Sequence, residues 1–165
     1  MRNDLTARYV RSILRYDARK GQMFWRVNRG RARIGMRAGR ACGSGYRYIQ
    51  IDGVNYLEHR LVWLHVKGRW PRRRLDHRDV NPLNNRFGNL RNANLSQNNA
   101  NSHLRSDNSS GSKGVYWSKS HSKWQVQIQI RRRKIFLGRF SSRRRAGTVY
   151  IEAAIAAFGE FARAA

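Results

Sequence analysis

Cysteine occurs once, proline twice and acidic side chains nine times in these 165 residues. The lone Cys42 excludes an internal disulfide and any cysteine-based cluster, so no structural zinc is expected. A reducing cytoplasm is the expected setting. No apolar run approaches the roughly 18 residues of a membrane span, and no membrane partner is expected. The N-terminal residues Arg2, Asn3 and Asp4 do not open an apolar signal-peptide core, so secretion is not expected. The scarcity of acid has the largest consequence. Thirty-five Lys and Arg leave a formal net charge of +26 and a pI near 11.8. Such a chain repels itself unless a polyanion neutralises it. It is not a disordered polycation, because 40% hydrophobic and 11% aromatic residues suffice for real cores.

The charge is uneven. Residues 1–70 hold 16 basic and 4 acidic side chains, a net of +12. Residues 71–110 hold 7 and 3, a net of +4, and residues 111–165 hold 12 and 2, a net of +10. Basic flanks around a less basic centre suit arms that grip phosphates beside a site that holds a cation.

Leu5, Tyr9, Ile13 and Leu14 fall at helical spacing, with Gly21 as the expected stop. Met23 to Val27 reads as a strand. Asn28 to Gly45, rich in Arg and Gly and without periodicity, reads as a mobile loop that orders on DNA. Tyr46–Ile51 and Val54–Leu57 flank Asp52-Gly53, a hairpin signal. Glu58 to Lys67 reads as a helix ended by Gly68, with Pro71 preventing continuation. Leu75 to His77 and Leu90 to Asn94 read as short strands around a turn-forming Asn81–Gly88. Ser96 is the expected N-cap of a helix running to about Leu104. Ser106 to Ser112 is the expected linker. Beyond it, Val115–Ser118, an alternating strand through Trp124, Val126, Ile128 and Ile130, and Ile135–Phe140 read as three strands. A helix from about Ser142 carries an apolar stripe through Ala146, Val149, Tyr150, Ala153, Ala154, Ala157 and Phe158.

Asp76-His77, with the later Asn89 and Asn98, is the constellation that carries chemistry. Phosphodiester hydrolysis needs an activated water and stabilisation of the leaving 3′ oxygen. Asp76 offers a charged oxygen and Asn98 a neutral one, a set suited to one Mg²⁺ (or Mn²⁺) that keeps its waters. An imidazole titrates near neutrality, so His77 is the natural general base.

Here the chain resembles the HNH endonucleases of the ββα-metal fold, especially phage and intron homing endonucleases. The resemblance runs through Leu57-Glu58-His59-Arg60-Leu61-Val62-Trp63, Gly68-Arg69-Trp70-Pro71, Leu75-Asp76-His77, Asn84-Asn85-Arg86, Asn89-Leu90-Arg91 and Gln97-Asn98-Asn99-Ala100-Asn101. It implies that His77 is the base, that Asp76 and Asn98 hold the metal, and that Asn89 braces the loop. His59, Arg60 and Asn85 are the expected supporting residues. Cleavage of this type leaves 5′-phosphate and 3′-hydroxyl ends. Many relatives have an Asn-Gly turn after the histidine, where this chain has Arg78-Asp79-Val80-Asn81.

Gly111 to Phe161 resembles the ethylene-response-factor (AP2/ERF) type of DNA-binding domain. The resemblance rests on Ser112-Lys113-Gly114-Val115, Lys123-Trp124, Ile128, Leu137-Gly138-Arg139-Phe140 and the alanine-rich helix. It implies that the sheet enters the major groove. Alternation leaves Gln125, Gln127, Gln129 and Arg131 outward, where Gln pairs with adenine and Arg with guanine. Lys113, Tyr116, Lys119 and Lys123 are the expected backbone contacts.

The expected fold class is α+β in four parts. Residues 1–55 form a basic N-terminal segment of helix, loop and hairpin, and 56–105 the ββα-metal nuclease domain. Residues 106–112 form the linker, and 113–165 a three-stranded antiparallel sheet packed on one helix. The expected activity is metal-dependent nicking of double-stranded DNA by a monomer or weak dimer. The competing readings are a DNA-binding regulator with a vestigial nuclease site and a non-catalytic RNA- or ribosome-binding basic protein.

Overall fold

The computed structural model describes residues 4–43 and 45–163. Its two compact units part in sequence after Asn92. The expected nuclease segment 56–105 therefore spans this division.

In the first unit, α1 (Ala7–Ile13) starts where Thr6 accepts the Tyr9 N–H at 3.2 Å. The helix does not continue to Gly21. Leu14–Asp17 is a strand, β1, antiparallel to β2 (Gln22–Trp25), with Leu14 opposite Trp25. The reason lies in the turn. Asp17 accepts the Gly21 N–H at its carbonyl (2.8 Å) and the Lys20 N–H at its carboxylate (3.0 Å). Gly21, at φ +67°, closes this hairpin, and a Cβ there would lie 2.5 Å from the Arg86 nitrogen.

The Arg/Gly-rich stretch expected to be mobile is held by backbone donors. Arg29 and Ala32 exchange N–H···O bonds of 3.0 and 2.9 Å, and Gly35 donates to the Trp25 carbonyl at 2.8 Å. Ala38 donates to Met23 at 2.8 Å, and the Arg47 guanidinium donates to the Ala38 and Gly39 carbonyls. Turn chemistry of this kind has no side-chain period, which is why pattern reading misses it. Ser44, within that stretch, lies outside the described residues.

A three-stranded antiparallel sheet follows, with β4 (Arg47–Ile51) between β3 (Arg40–Ala41) and β5 (Val54–Leu57). Ile49 and Ile51 are buried while Gln50 is exposed. The β4–β5 turn is Asp52-Gly53, as expected, both at positive φ. The helix α2 (Glu58–Lys67) buries Leu61, Val62 and Leu64 and ends at Gly68. These side chains join Val10, Leu14, Met23, Ile49 and Ile51 in one core. Finally β6 (Arg74–His77) pairs with β7 (Leu90–Ala93).

In the second unit, α3 (Leu95–Asn101) is capped by Asn94, not by Ser96. Asn94 accepts the Gln97 N–H and Gln97 accepts the Asn94 N–H, each at 2.9 Å. This reciprocal capping box satisfies two donors, where a cap at Ser96 would waste a turn. The helix stops at Asn101, short of Leu104. Strands β8 (Val115–Ser118), β9 (Lys123–Ile130) and β10 (Arg133–Phe140) form an antiparallel meander with β9 central. The helix α4 (Arg143–Phe158), capped by Ser142, buries Ala146, Tyr150 and Ala154 with Val115, Val126 and Ile128. Ala157 is exposed, so the apolar stripe is shorter than expected. Mixed small helices and antiparallel sheets make this an α+β protein.

Candidate active site

Strand β6 ends in Asp76 and His77, which are only 6% and 5% exposed. Burying a carboxylate demands compensation. Arg91, on the paired strand β7, donates from Nε to Asp76 Oδ2 at 2.8 Å, and both side chains are buried.

His77 is held by a second chain of polar groups. Its Nε2 lies 2.9 Å from Asn85 Oδ1. The Asn85 amide nitrogen donates to Glu58 Oε2 at 3.0 Å. Glu58 Oε1 accepts the Met23 N–H at 3.1 Å, and the Arg47 guanidinium lies 3.3 Å from Oε2. Glu58 and Asn85 are almost fully buried. Burial pushes the Glu58 carboxyl up, against the Met23 donor, Arg47, Arg37 and Asn85. The orientation of Asn85 follows from its neighbours. Its nitrogen faces the carboxylate, so its oxygen faces the imidazole, and His77 Nε2 must carry the proton. The lone pair then belongs to Nδ1.

The ring of His59 meets His77 edge-on at 5.2 Å, and Tyr46 lies 5.4 Å from His59 and 6.1 Å from His77. Burial, then the neighbouring His77 and Arg60, pull the His59 pKa down to about 3, so this ring is neutral. Arg60, expected to support the site, lies over the Trp70 ring at 5.5 Å.

Asn89 ties the loop after His77 at several points. Its side chain donates to Asp79 Oδ1 and to the Asn84 carbonyl, each at 2.8 Å, and accepts the Asp79 N–H at 3.1 Å. Asp79 also accepts from Asn81 N–H and from the Asn84 amide. Burial raises the Asp79 pKa, but these donors outweigh it and hold the carboxyl below its ordinary range. Val80 takes φ +63° and donates its N–H to the His77 carbonyl at 2.9 Å. The turn without an Asn-Gly pair thus closes at the expense of a strained valine.

Asp76, His77, Asn85, Asn89 and His59 lie in the first unit, gathered around β6. Asn98 lies in the second unit, half-buried in α3, with its N–H on the Asn94 carbonyl. Glu58 and Arg91 were not among the sequence-derived candidates. A signal for Glu58 exists, since any acid in a chain with nine of them is conspicuous.

Among the described residues, no group of three or more His, Cys, Asp or Glu is placed to hold a metal. Asp76 is an oxygen donor, the ligand type that Mg²⁺ accepts alongside amide, phosphate and water oxygens. A carboxylate offers about four acceptor positions, so Arg91 at Oδ2 and one ion need not share a lone pair. The residues fit a one-carboxylate site.

In the second unit, Gln125, Gln127 and Gln129 alternate with the buried Val126 and Ile128 of β9. Gln125 donates to the Tyr116 hydroxyl at 2.6 Å, and Arg139 donates to Gln125 Oε1 at 3.3 Å. Arg139 also covers the ring of Phe136, which stands opposite Gln127 and is exposed. Sequence reasoning missed Phe136 and Arg139 because the bulge after Phe136 shifts the alternation of β10. Arg131, expected on the strand face, lies instead in the β9–β10 turn at φ +48°, beside Arg132 at φ +68°. Lys113, expected at a phosphate, is half-buried and donates to the Ala100 carbonyl at 2.7 Å. Burial there pulls its pKa down to about 8. Lys119 and Lys123 are exposed.

Among the described residues, no helix is long and apolar enough to cross a membrane. No curated protein and no solved structure matches the chain. Residues 56–100, 45 of the 165, match the HNH endonuclease family model, and that match supports a nuclease acting on DNA.

Proposed function

We propose that the chain is a homing-type, metal-dependent endonuclease that nicks duplex DNA at Asp76-His77. The observation that carries this reading is the buried Glu58–Asn85–His77 chain, with its links of 3.0 and 2.9 Å. A histidine needed only for packing would not require a buried carboxylate to set its tautomer.

Asn85 holds the proton on Nε2 and so leaves Nδ1 as the proton acceptor. Nδ1 takes a proton from a water as that oxygen bonds to phosphorus and the P–O3′ bond breaks. The leaving oxygen takes a proton from solvent, which gives 5′-phosphate and 3′-hydroxyl ends. Asp76 is the proposed carboxylate ligand of one Mg²⁺ or Mn²⁺. The bound ion supplies charge stabilisation at the leaving oxygen. Arg91 orients Asp76, and Asn89 with Asp79 shapes the loop behind His77. One site per chain favours a nick over a double-strand break.

The outer face of β8–β9–β10 is the proposed reader, with Gln125, Gln127 and Gln129 at base edges and Lys119, Lys123 and Arg131 at phosphates. Phe136 and Arg139 join it.

Supercoiled plasmid tests the activity. With Mg²⁺ the protein converts it to nicked circle, and EDTA stops the conversion. Plasmid that binds the protein yet stays supercoiled with Mg²⁺ and with Mn²⁺ overturns the enzyme and leaves a DNA-binding regulator.

A further inference from the structure

The first unit holds a cavity of about 480 Å³ away from the residues around His77. That volume lies within the roughly 300–1,000 Å³ of small-ligand sites. Its walls are the outer face of β3–β4–β5 and the arginine turn after β2. Arg31 and Arg40 reach its rim, are exposed, and make no ion pair among the described residues. Cross-strand register sets the floor. Arg40 stands opposite Tyr48, and Gln50 stands opposite Asn55, so a cation, a phenol ring and two amides share one face.

The far end is differently made. Asp52 is paired with Arg29, and the Tyr9 hydroxyl donates to its Oδ2 at 2.9 Å. The acid is thereby neutralised as a charge but kept as an acceptor. The cavity thus has a basic entrance, an aromatic wall, and a polar end rich in amides.

These features match one ligand class. A phosphate suits Arg31 and Arg40, a base stacks on Tyr48, and its polar edge meets Gln50, Asn55 and Asp52. A duplex is too wide to enter, whereas a single nucleotide is not. We propose that this cavity binds one unpaired nucleotide of the DNA, extruded from the stack. The inference rests on the DNA-nuclease reading above, and assigns to the first unit a contact separate from His77.

Binding is measured in EDTA, so that no cleavage enters the result. The probes are a short paired duplex and the same duplex with one bulged nucleotide, either 2-aminopurine or 5-iodouridine. The bulged duplex is expected to bind about tenfold tighter, with quenching of the 2-aminopurine. Photo-crosslinking of the iodouridine is expected to label a peptide containing Tyr48. Tyr48→Ala should equalise the two affinities. Arg40→Ala and Gln50→Ala, at exposed positions that leave folding intact, should each narrow the preference severalfold.

Equal affinity of the wild type for both duplexes, or a crosslink that maps outside the cavity, overturns the proposal and leaves the nuclease reading standing. A preference that survives Arg40→Ala and Gln50→Ala undiminished overturns it as well. Failure to bind either duplex overturns the DNA reading itself, and the pocket with it.

Discussion

Val80 occupies the left-handed region at φ +63°, where a β-branched side chain costs about 1–2 kcal/mol. The conformation persists because its neighbours over-determine it: the Val80 N–H meets the His77 carbonyl, and Asp79 binds Asn81, Asn84 and Asn89. Val80→Gly should relieve that strain and raise stability by about 1 kcal/mol after the entropic loss of a glycine. A melting temperature equal to or below the wild type would show that the valine is not strained. His59 gives a pH test. In the unfolded chain a histidine binds its proton near pH 6.5, while in the fold burial holds the His59 pKa at about 3. Its stabilising effect is therefore complete above pH 6.5 and is lost as pH falls through that window, by about 2 kcal/mol at pH 5. Urea titrations at pH 7 and pH 5 should lose less stability between them in His59→Asn than in the wild type. Equal losses would mean that His59 takes up its proton in the fold. Asp76, His77, Asn85 and Asn89 are visible in the sequence because residue type and spacing carry them. Glu58 is marked only by the scarcity of acids and Arg91 by nothing, since their partners lie 27 and 15 residues away and burial of a charge leaves no linear mark.

At the scale of elements, legibility follows the kind of force that forms each one. The alternation of β9, the Asp52-Gly53 hairpin and the Gly68 stop of α2 are all evident, since each is a local preference. The ends of α1 and α3 are not. Both depend on competing caps and turns, and there one hydrogen bond outweighs propensity. Asn94 illustrates this, since its side chain and that of Gln97 satisfy each other's backbone N–H groups. Asn94→Ala should cost about 1 kcal/mol in chemical denaturation. A variant as stable as the wild type would show that α3 is fixed by packing alone. The turn at Arg131-Arg132 marks a different limit. Two successive arginines at positive φ fill places where Asn-Gly is the usual pair. Nothing local favours them, which is consistent with a demand for positive charge at that turn.

For the whole molecule, charge is the dominant fact. The unit ending at Asn92 carries 22 basic and 6 acidic residues, a net of +16, and the second carries 13 and 3, a net of +10. Each has its own apolar core. Both are thus equipped to hold a polyanion, and charge alone does not say whether that polyanion is cut. The distinction rests on one imidazole and the groups that set its tautomer. The most direct measurement compares wild type with His77→Ala on supercoiled plasmid in Mg²⁺, with DNA binding measured in parallel. His77→Ala should lose about 100-fold or more of the nicking rate while its affinity for the plasmid is retained. A variant that binds as before and still nicks at the wild-type rate would contradict this.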